Sequence, residues 1–319
     1  PGCNSCGFCL SGCPQNAVFN TSGVLDDLCR NHKVEYKPNR IVHRVQDDGS
    51  KVTITLSNEN SGERCKESYD AVFLAAGVIN TTRILLTSKE IYNQTVTLND
   101  SQKFILPVLR LNADKDALAD EKVTFSRVFI EAKMKDKSDH WVHVQLSPIN
   151  DMFLKALKID PFAPKTLRCK LLSPLLKRTM IALCGLHSDH SDKINLKLIP
   201  TNSVDNPILH IREALSPKGK QMAWWTAKRL FTLGMRARTM FIPYPQIYEP
   251  GAASHCGGSF PMRKEPKEYL DSDVFGRVFG WKNVYAVDSS IFPSIPGTTI
   301  ALNIMANAYR IGETAPLAK

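Results

Sequence analysis

The sequence has no apolar run approaching the roughly 18 to 20 residues that cross a bilayer, so no segment reads as a membrane-spanning helix. It has no initiator Met either. Residue 1 is Pro, and no basic segment followed by an apolar one comes after it, so a processed or truncated N-terminus is expected and a signal peptide is left unread. Internal repeats and low-complexity stretches are absent. With 43% hydrophobic, 23% charged and 8% aromatic residues, the composition excludes a collagen, a small disulfide scaffold and a disordered tail. Acidic residues are outnumbered, 31 against 41 Lys and Arg, giving a net charge of +10. The excess is scattered, which reads as a solvated surface and not as a nucleic-acid interface. Evenly paired cysteines are also missing: there are nine, four of them before residue 14, which argues against a fully disulfide-bonded secreted protein and leans toward a cytoplasmic setting.

What is present is enough chain, 319 residues, for two packed domains. Val52, Ile54 and Leu56 alternate beside a turn at Asp47-Asp48-Gly49, the pattern of a half-buried strand. Ala71 to Gly77 is continuously apolar and ends in Gly, which suits a buried strand of an α/β sheet, and Ile84 to Leu86 then give a helical face. Between about 104 and 245, strand patterns at Trp141–Leu146 and Ile194–Leu198 mix with a helical stretch at Gln221–Met235. Without a βαβ rhythm, this suggests an α+β domain on an antiparallel sheet. Trp224, Trp225 and Phe231 read as that helix's packing face. His187 and His190 have a ligand-like spacing but read better as a polar strand end than as a metal pair.

The C-terminal block is the richest. Ser254-His255-Cys256-Gly257-Gly258 precedes a strand at Asn283–Val287, which ends in Asp288-Ser289; Gly297-Thr298-Thr299-Ile300 then opens a helix whose N-terminal amides would face an anionic or polar cofactor edge. This block resembles the C-terminal signature of the glucose-methanol-choline (GMC) flavin oxidoreductases. Cys6 to Pro14, Val42-His43-Arg44-Val45 and Phe73 to Ser88 resemble the family's middle segments, in the expected order.

The resemblance implies an α/β FAD-binding domain, Rossmann-like and incomplete at its N-terminus, at residues 1–100 and 250–319, with an α+β substrate domain at 101–249. The family's opening G-x-G-x-x-G phosphate loop has no counterpart here. By the same resemblance, the backbone near Val42 meets adenine, Ala76 and Gly77 approach the ADP portion, and Asp288, Ser289, Thr299 and Ile300 lie along the flavin. Asp288 alone would read as a turn cap. His255 is the expected catalytic base, because alcohol oxidation needs the hydroxyl proton removed near neutral pH. Thr299 stands where the family has His or Asn, and it can hydrogen-bond but cannot act as a base.

The implied activity is FAD-dependent oxidation of an alcohol, of sugar or sterol type among others, to a carbonyl. Electrons would pass to oxygen, a quinone or a redox protein. Cys3, Cys6, Cys9 and Cys13, followed by Pro14, have the spacing of a ferredoxin cluster loop. They could hold an iron–sulfur cluster or zinc, or remain free thiols. Two rival readings follow: an electron-transfer protein working through the Cys3–Cys13 loop, and an inactive ligand-binding relative, prompted by Thr299.

Overall fold

Asp47 and Asp48 bend the chain by accepting the backbone N–H groups of Gly49, Ser50 and Lys51, each at 2.8 Å, while Gly49 takes the positive φ of 88° that the turn requires. The turn joins antiparallel strands β1 (Arg40–Asp47) and β2 (Val52–Asn58), and β3 (Arg64–Tyr69) completes a three-stranded sheet. A computed structural model describes residues 2–113, 124–126, 128–149, 173–202 and 206–317. The chain divides into two units. The first holds Pro1–Lys37, Phe104–Cys184 and Ala223–Ile247; the second holds Pro38–Lys103, Gly185–Met222 and Tyr248–Lys319.

In the first unit, α1 (Thr21–Arg30) starts at Asn20, whose side chain accepts Ser22 N at 2.9 Å. Its sheet contains β6 (Lys103–Arg110), β7 (Val128–Lys133), β8 (Trp141–Pro148), β9 (Thr179–Gly185), β12 (Thr239–Phe241) and β13 (Gln246–Ile247), in the order β12-β6-β9-β8-β7 with β13 also on β6. The pairs β12–β6, β13–β6 and β7–β8 are antiparallel.

Helix α3 (Pro217–Arg236) buries Met222, Ala223, Thr226, Ala227 and Leu230. The aromatic face expected from the sequence is corrected here, because Trp225 and Phe231 lie on the more open side. Trp225 has Lys137 Nζ 5.1 Å from its ring centre.

The second unit pairs β4 (Val72–Leu74) in parallel with β15 (Val284–Ala286). Strand β4 is shorter than the apolar run from 71 to 77, because Gly77 takes φ 81° and starts α2 (Val78–Ser88). Its central Phe73 is 40% exposed and stacks on Tyr285 at 5.0 Å, while Val72 and Leu74 are buried. A second sheet runs β11-β10-β5-β14, built from β5 (Thr95–Asp100), β10 (Lys193–Ile199), β11 (Ile208–Ala214) and β14 (Cys256–Gly257). Because β10 bonds to β5, residues 185–222 fall with the second unit and not with the segment 101–249 suggested by the sequence. Residues 1–37 likewise fall with the first. The core gathers Val45, Val52, Leu74, Leu85, Leu86, Phe260, Tyr285 and Ile291, closed by α4 (Ala301–Thr314) through Ile311. Among the described residues, no helix is long and apolar enough to cross a membrane.

Candidate active site

The parallel strands β4 and β15 end side by side; Gly77 leads from β4 into α2, and the 3-10 turn Ser289–Ile291 follows β15. Such a carboxyl-end crevice is where open α/β sheets bind ligands. Gly77 caps the start of α2 and Ile300 that of α4, neither with a side-chain hydrogen bond, so first-turn amides are left for other acceptors. A Cβ on Gly77 would meet nothing within 4 Å, leaving open space at the helix start. Ala76 is exposed beside it, and its N–H donates to Thr81 Oγ1 at 3.2 Å.

Asp288 is buried and serves as the cap of a short 3-10 turn, Ser289–Ile291, accepting Ser290 N at 2.9 Å. Its other oxygen accepts the Thr81 hydroxyl. Ser289 is buried too, and its hydroxyl donates to the Cys256 carbonyl at 2.8 Å. Two glycines make this approach possible. A Cβ on Gly257 would lie 2.3 Å from Ser289 O, and one on Gly258, at φ 82°, would lie 2.7 Å from Phe292 O. The segment 256–262 therefore runs along 289–292, with Gly258, Phe260 and Met262 donating to Ser289, Ser290 and Ile291 at 2.8 to 2.9 Å.

His255 immediately precedes this ribbon, after Ser254 at φ 56°. Its carbonyl accepts Ser101 N at 3.0 Å, and its Nδ1 is buried without a hydrogen-bond partner. Burial, then the positive charge of Lys103, push the imidazole down to about 4, so the ring is neutral over most of the pH range. A buried nitrogen with no protein partner fits a site that receives a polar group from a ligand. Next to it, burial and then the Asp100 carboxyl push the Cys256 thiol up to about 11, leaving it protonated and unreactive near neutral pH.

The other expected residues fall as follows. Thr299 is exposed on the turn before α4, and Ile300 is buried at the helix start. Val42 packs on the core beside a register shift between β1 and β2. His187 caps the turn Ser188–His190 by accepting Asp189 N at 3.2 Å, a structural task at a strand end.

In the first unit, Cys9 and Cys13 line a cavity of about 320 Å³. Ala17 N donates to Cys13 Sγ at 3.3 Å, and this bond with those from Gln15 and Val18 lowers the thiol below its usual range. Ser5 N donates to Cys3 Sγ at 3.4 Å. Among the described residues, no three of the four sulfurs stand within 4.8 Å of one another.

Sequence reasoning passed over the polar run Asp100-Ser101-Gln102-Lys103, which is wholly buried. In a sequence, four consecutive polar residues between two apolar strands signal an exposed turn. Here Asp100 Oδ2 accepts Gly251 N at 2.9 Å, Gln102 Nε2 donates to Asp192 at 3.0 Å and to Tyr248 O at 2.9 Å, and Lys103 Nζ donates to Gly297 O at 2.7 Å.

Comparison with known proteins finds similarity to oxidoreductases. Residues 223–308 match the C-terminal family model of the GMC oxidoreductases. A 53-residue stretch, 16% of this chain and 10% of its relative, is 42% identical to an uncharacterized GMC-type oxidoreductase, y4nJ, of Sinorhizobium fredii (strain NBRC 101917 / NGR234). The fold is similar to that of pyridoxine 4-oxidase from Mesorbium loti, with a TM-score of 0.57 and 14% identity over 88% of this chain and 58% of that one. Residues 223–308 thus match the C-terminal domain of the GMC oxidoreductases, a family for which FAD binding is typical. The chain spans little more than half of the solved neighbour's length.

Proposed function

We propose that this chain takes part in the FAD-dependent oxidation of a small-molecule alcohol to a carbonyl. The observation that carries the reading is the neutral, buried, unpartnered Nδ1 of His255, on the loop leading into the ribbon that holds the β15 crevice. FAD, when bound, supplies the acceptor for the hydride leaving the carbinol carbon. The open α2 start at Ala76 and Gly77, the backbone at Val42, and Asp288, Ser289 and Ile300 would hold it. His255 accepts the hydroxyl proton, and Thr299 offers a hydroxyl to orient the alcohol. The electrons leave to oxygen, a quinone or a redox protein.

The test is anaerobic addition of alcohols to the complete, flavin-loaded enzyme, with pyridoxine, sugars and sterols in the panel. Bleaching of the flavin by one of them supports the reading. Flavin that stays oxidised across the panel, in a protein that still binds one of the alcohols, favours a ligand-binding relative.

A second site is proposed on the Cys3–Cys13 loop. Peptide N–H donors to Cys13 favour the thiolate form that soft metals require, and Cys9 and Cys13 share one concavity. Cys3, Cys6, Cys9 and Cys13 would together hold an iron–sulfur cluster.

A further inference from the structure

Three arginines far apart in sequence stand at one end of three neighbouring strands of the first unit. In the order β9-β6-β12, Arg178 immediately precedes β9, Arg110 ends β6 and Arg238 immediately precedes β12. Their backbones are tied together: Arg110 N donates to Arg178 O at 2.9 Å, Leu111 N donates to Arg238 O at 3.1 Å, and Thr239 pairs with Arg110. The corner from α3 into β12 is tight, since a Cβ on Gly234 would lie 2.5 Å from Thr239 O, and Arg238 completes it at a φ of 52°.

The three arginines line a hollow of about 230 Å³ whose other walls are mainly apolar. Leu111 is 60% exposed, Met235 52% and Leu175 49%, so these three form its mouth and not its floor. Arg110 has an interaction of its own, but among the described residues neither Arg178 nor Arg238 has an ion-pair partner. The surrounding chain offers none: residues 104–111, 173–178 and 223–247 carry seven Lys and Arg and no Asp or Glu. A lone exposed leucine or a solvated arginine needs no explanation. A joined apolar mouth ringed by charge of one sign marks a binding surface.

The shape decides between occupants. A small anion in the hollow would leave the three exposed side chains in water, whereas a bilayer covers them all. Its acyl region receives Leu and Met side chains, and its phosphates accept the paired N–H groups of a guanidinium. We propose that this corner of the first unit is a peripheral docking surface for an anionic lipid bilayer, with Leu111, Leu175 and Met235 entering the interface and Arg178 and Arg238 held by lipid phosphates. Such docking requires no membrane-crossing helix, and it stands apart from the assignment of His255.

The experiment is co-sedimentation of the complete protein with vesicles of phosphatidylcholine alone, and of phosphatidylcholine with about 30% phosphatidylserine, at about 0.1 M salt. The protein should sediment with the anionic vesicles only. Arg178→Gln and Arg238→Gln should each weaken binding about fivefold, and together about 25-fold. Lys66→Gln with Arg212→Gln, an equal loss of charge on strands of the second unit, should leave it within about twofold. Met235→Ser should weaken it about tenfold with every cation in place. Unfolding midpoints equal to the wild type separate a lost surface from a lost fold, and the exposed Arg238→Gln carries the test alone if Arg178→Gln unfolds. The proposal is overturned by equal binding to neutral vesicles, by an equal loss in the Lys66 and Arg212 pair, or by no sedimentation at all. Binding of free dodecanoate without vesicle binding would make the hollow a small-ligand site, and a dimer that Met235→Ser splits would make it a self-contact; either result also overturns it.

Discussion

The Thr81 hydroxyl donates to the Asp288 carboxylate across 207 residues of chain, tying the first turn of α2 to the turn that follows β15. Both side chains are buried, and Asp288 also caps Ser290 N. Asp288→Ala therefore leaves a buried hydroxyl and a buried amide without their acceptor. It should cost about 2 to 4 kcal/mol in urea unfolding, the sum of two unmet groups. Thr81→Val should cost less, about 1 to 2 kcal/mol. An Asp288→Ala protein as stable as the wild type would show that water replaces the carboxylate.

His255→Ala should retain the fold and the flavin but slow flavin reduction by alcohol by roughly 10²- to 10⁴-fold. Thr299→Ala should slow it by only about two- to tenfold, the effect of one hydrogen bond. The wild-type rate should rise with pH through about 4, where the ring loses its proton, and then level off. Stopped-flow reduction of both variants checks the order; a larger loss in Thr299→Ala would move the proton acceptor elsewhere.

The same imidazole links stability to acidity. Its folded value, about 4, lies below the unfolded 6.5, so between these the unfolded chain binds the proton more strongly. The contribution is complete above about 6.5 and is lost as pH falls to about 4. Unfolding midpoints measured across this window should fall more steeply in the wild type than in His255→Asn.

Gly257→Ala and Gly258→Ala should each destabilise by about 1 to 3 kcal/mol, since an added methyl meets backbone oxygen at 2.3 and 2.7 Å. Both should release flavin more readily than the wild type in a dilution assay. Normal retention would mean that the ribbon shifts without disturbing the crevice.

Anaerobically purified complete enzyme should contain iron and acid-labile sulfide, both lost in Cys9→Ser, if the cysteine loop holds a cluster. Iron-free protein with full activity would make the thiols structural.

Much of this architecture could be read from the sequence. Val52–Leu56, Trp141–Leu146 and Ile194–Leu198 all lie within observed strands, and in β10 the alternation follows from burial of the one face that carries Ile194, Leu196 and Leu198. The His255, Gly257, Asp288 and Thr299 segments stood out through their resemblance to the GMC C-terminal signature. The partner of β5 was not legible, since strand pairing over a hundred residues leaves no local trace. Nor was Lys103, whose burial depends on Gly185 and Gly297 arriving from elsewhere. The aromatic face of α3 misled for a related reason: large rings suggest a core, whereas Met222, Ala223, Thr226, Ala227 and Leu230 form the buried face.

The parallel pair β4–β15 has a kinetic consequence. Hairpins such as β1–β2 and β10–β11 close over short loops, but Val72 must find Val284 after most of the chain between them has been ordered. Loop entropy makes such a closure late. In pulse-labelled hydrogen exchange during refolding, the Val287 amide, which bonds to Leu74 O at 3.0 Å, should gain protection after the amides of β1 and β2. The crevice would then be among the last parts of the molecule to form, and a ligand that fills it would select chains that have finished folding.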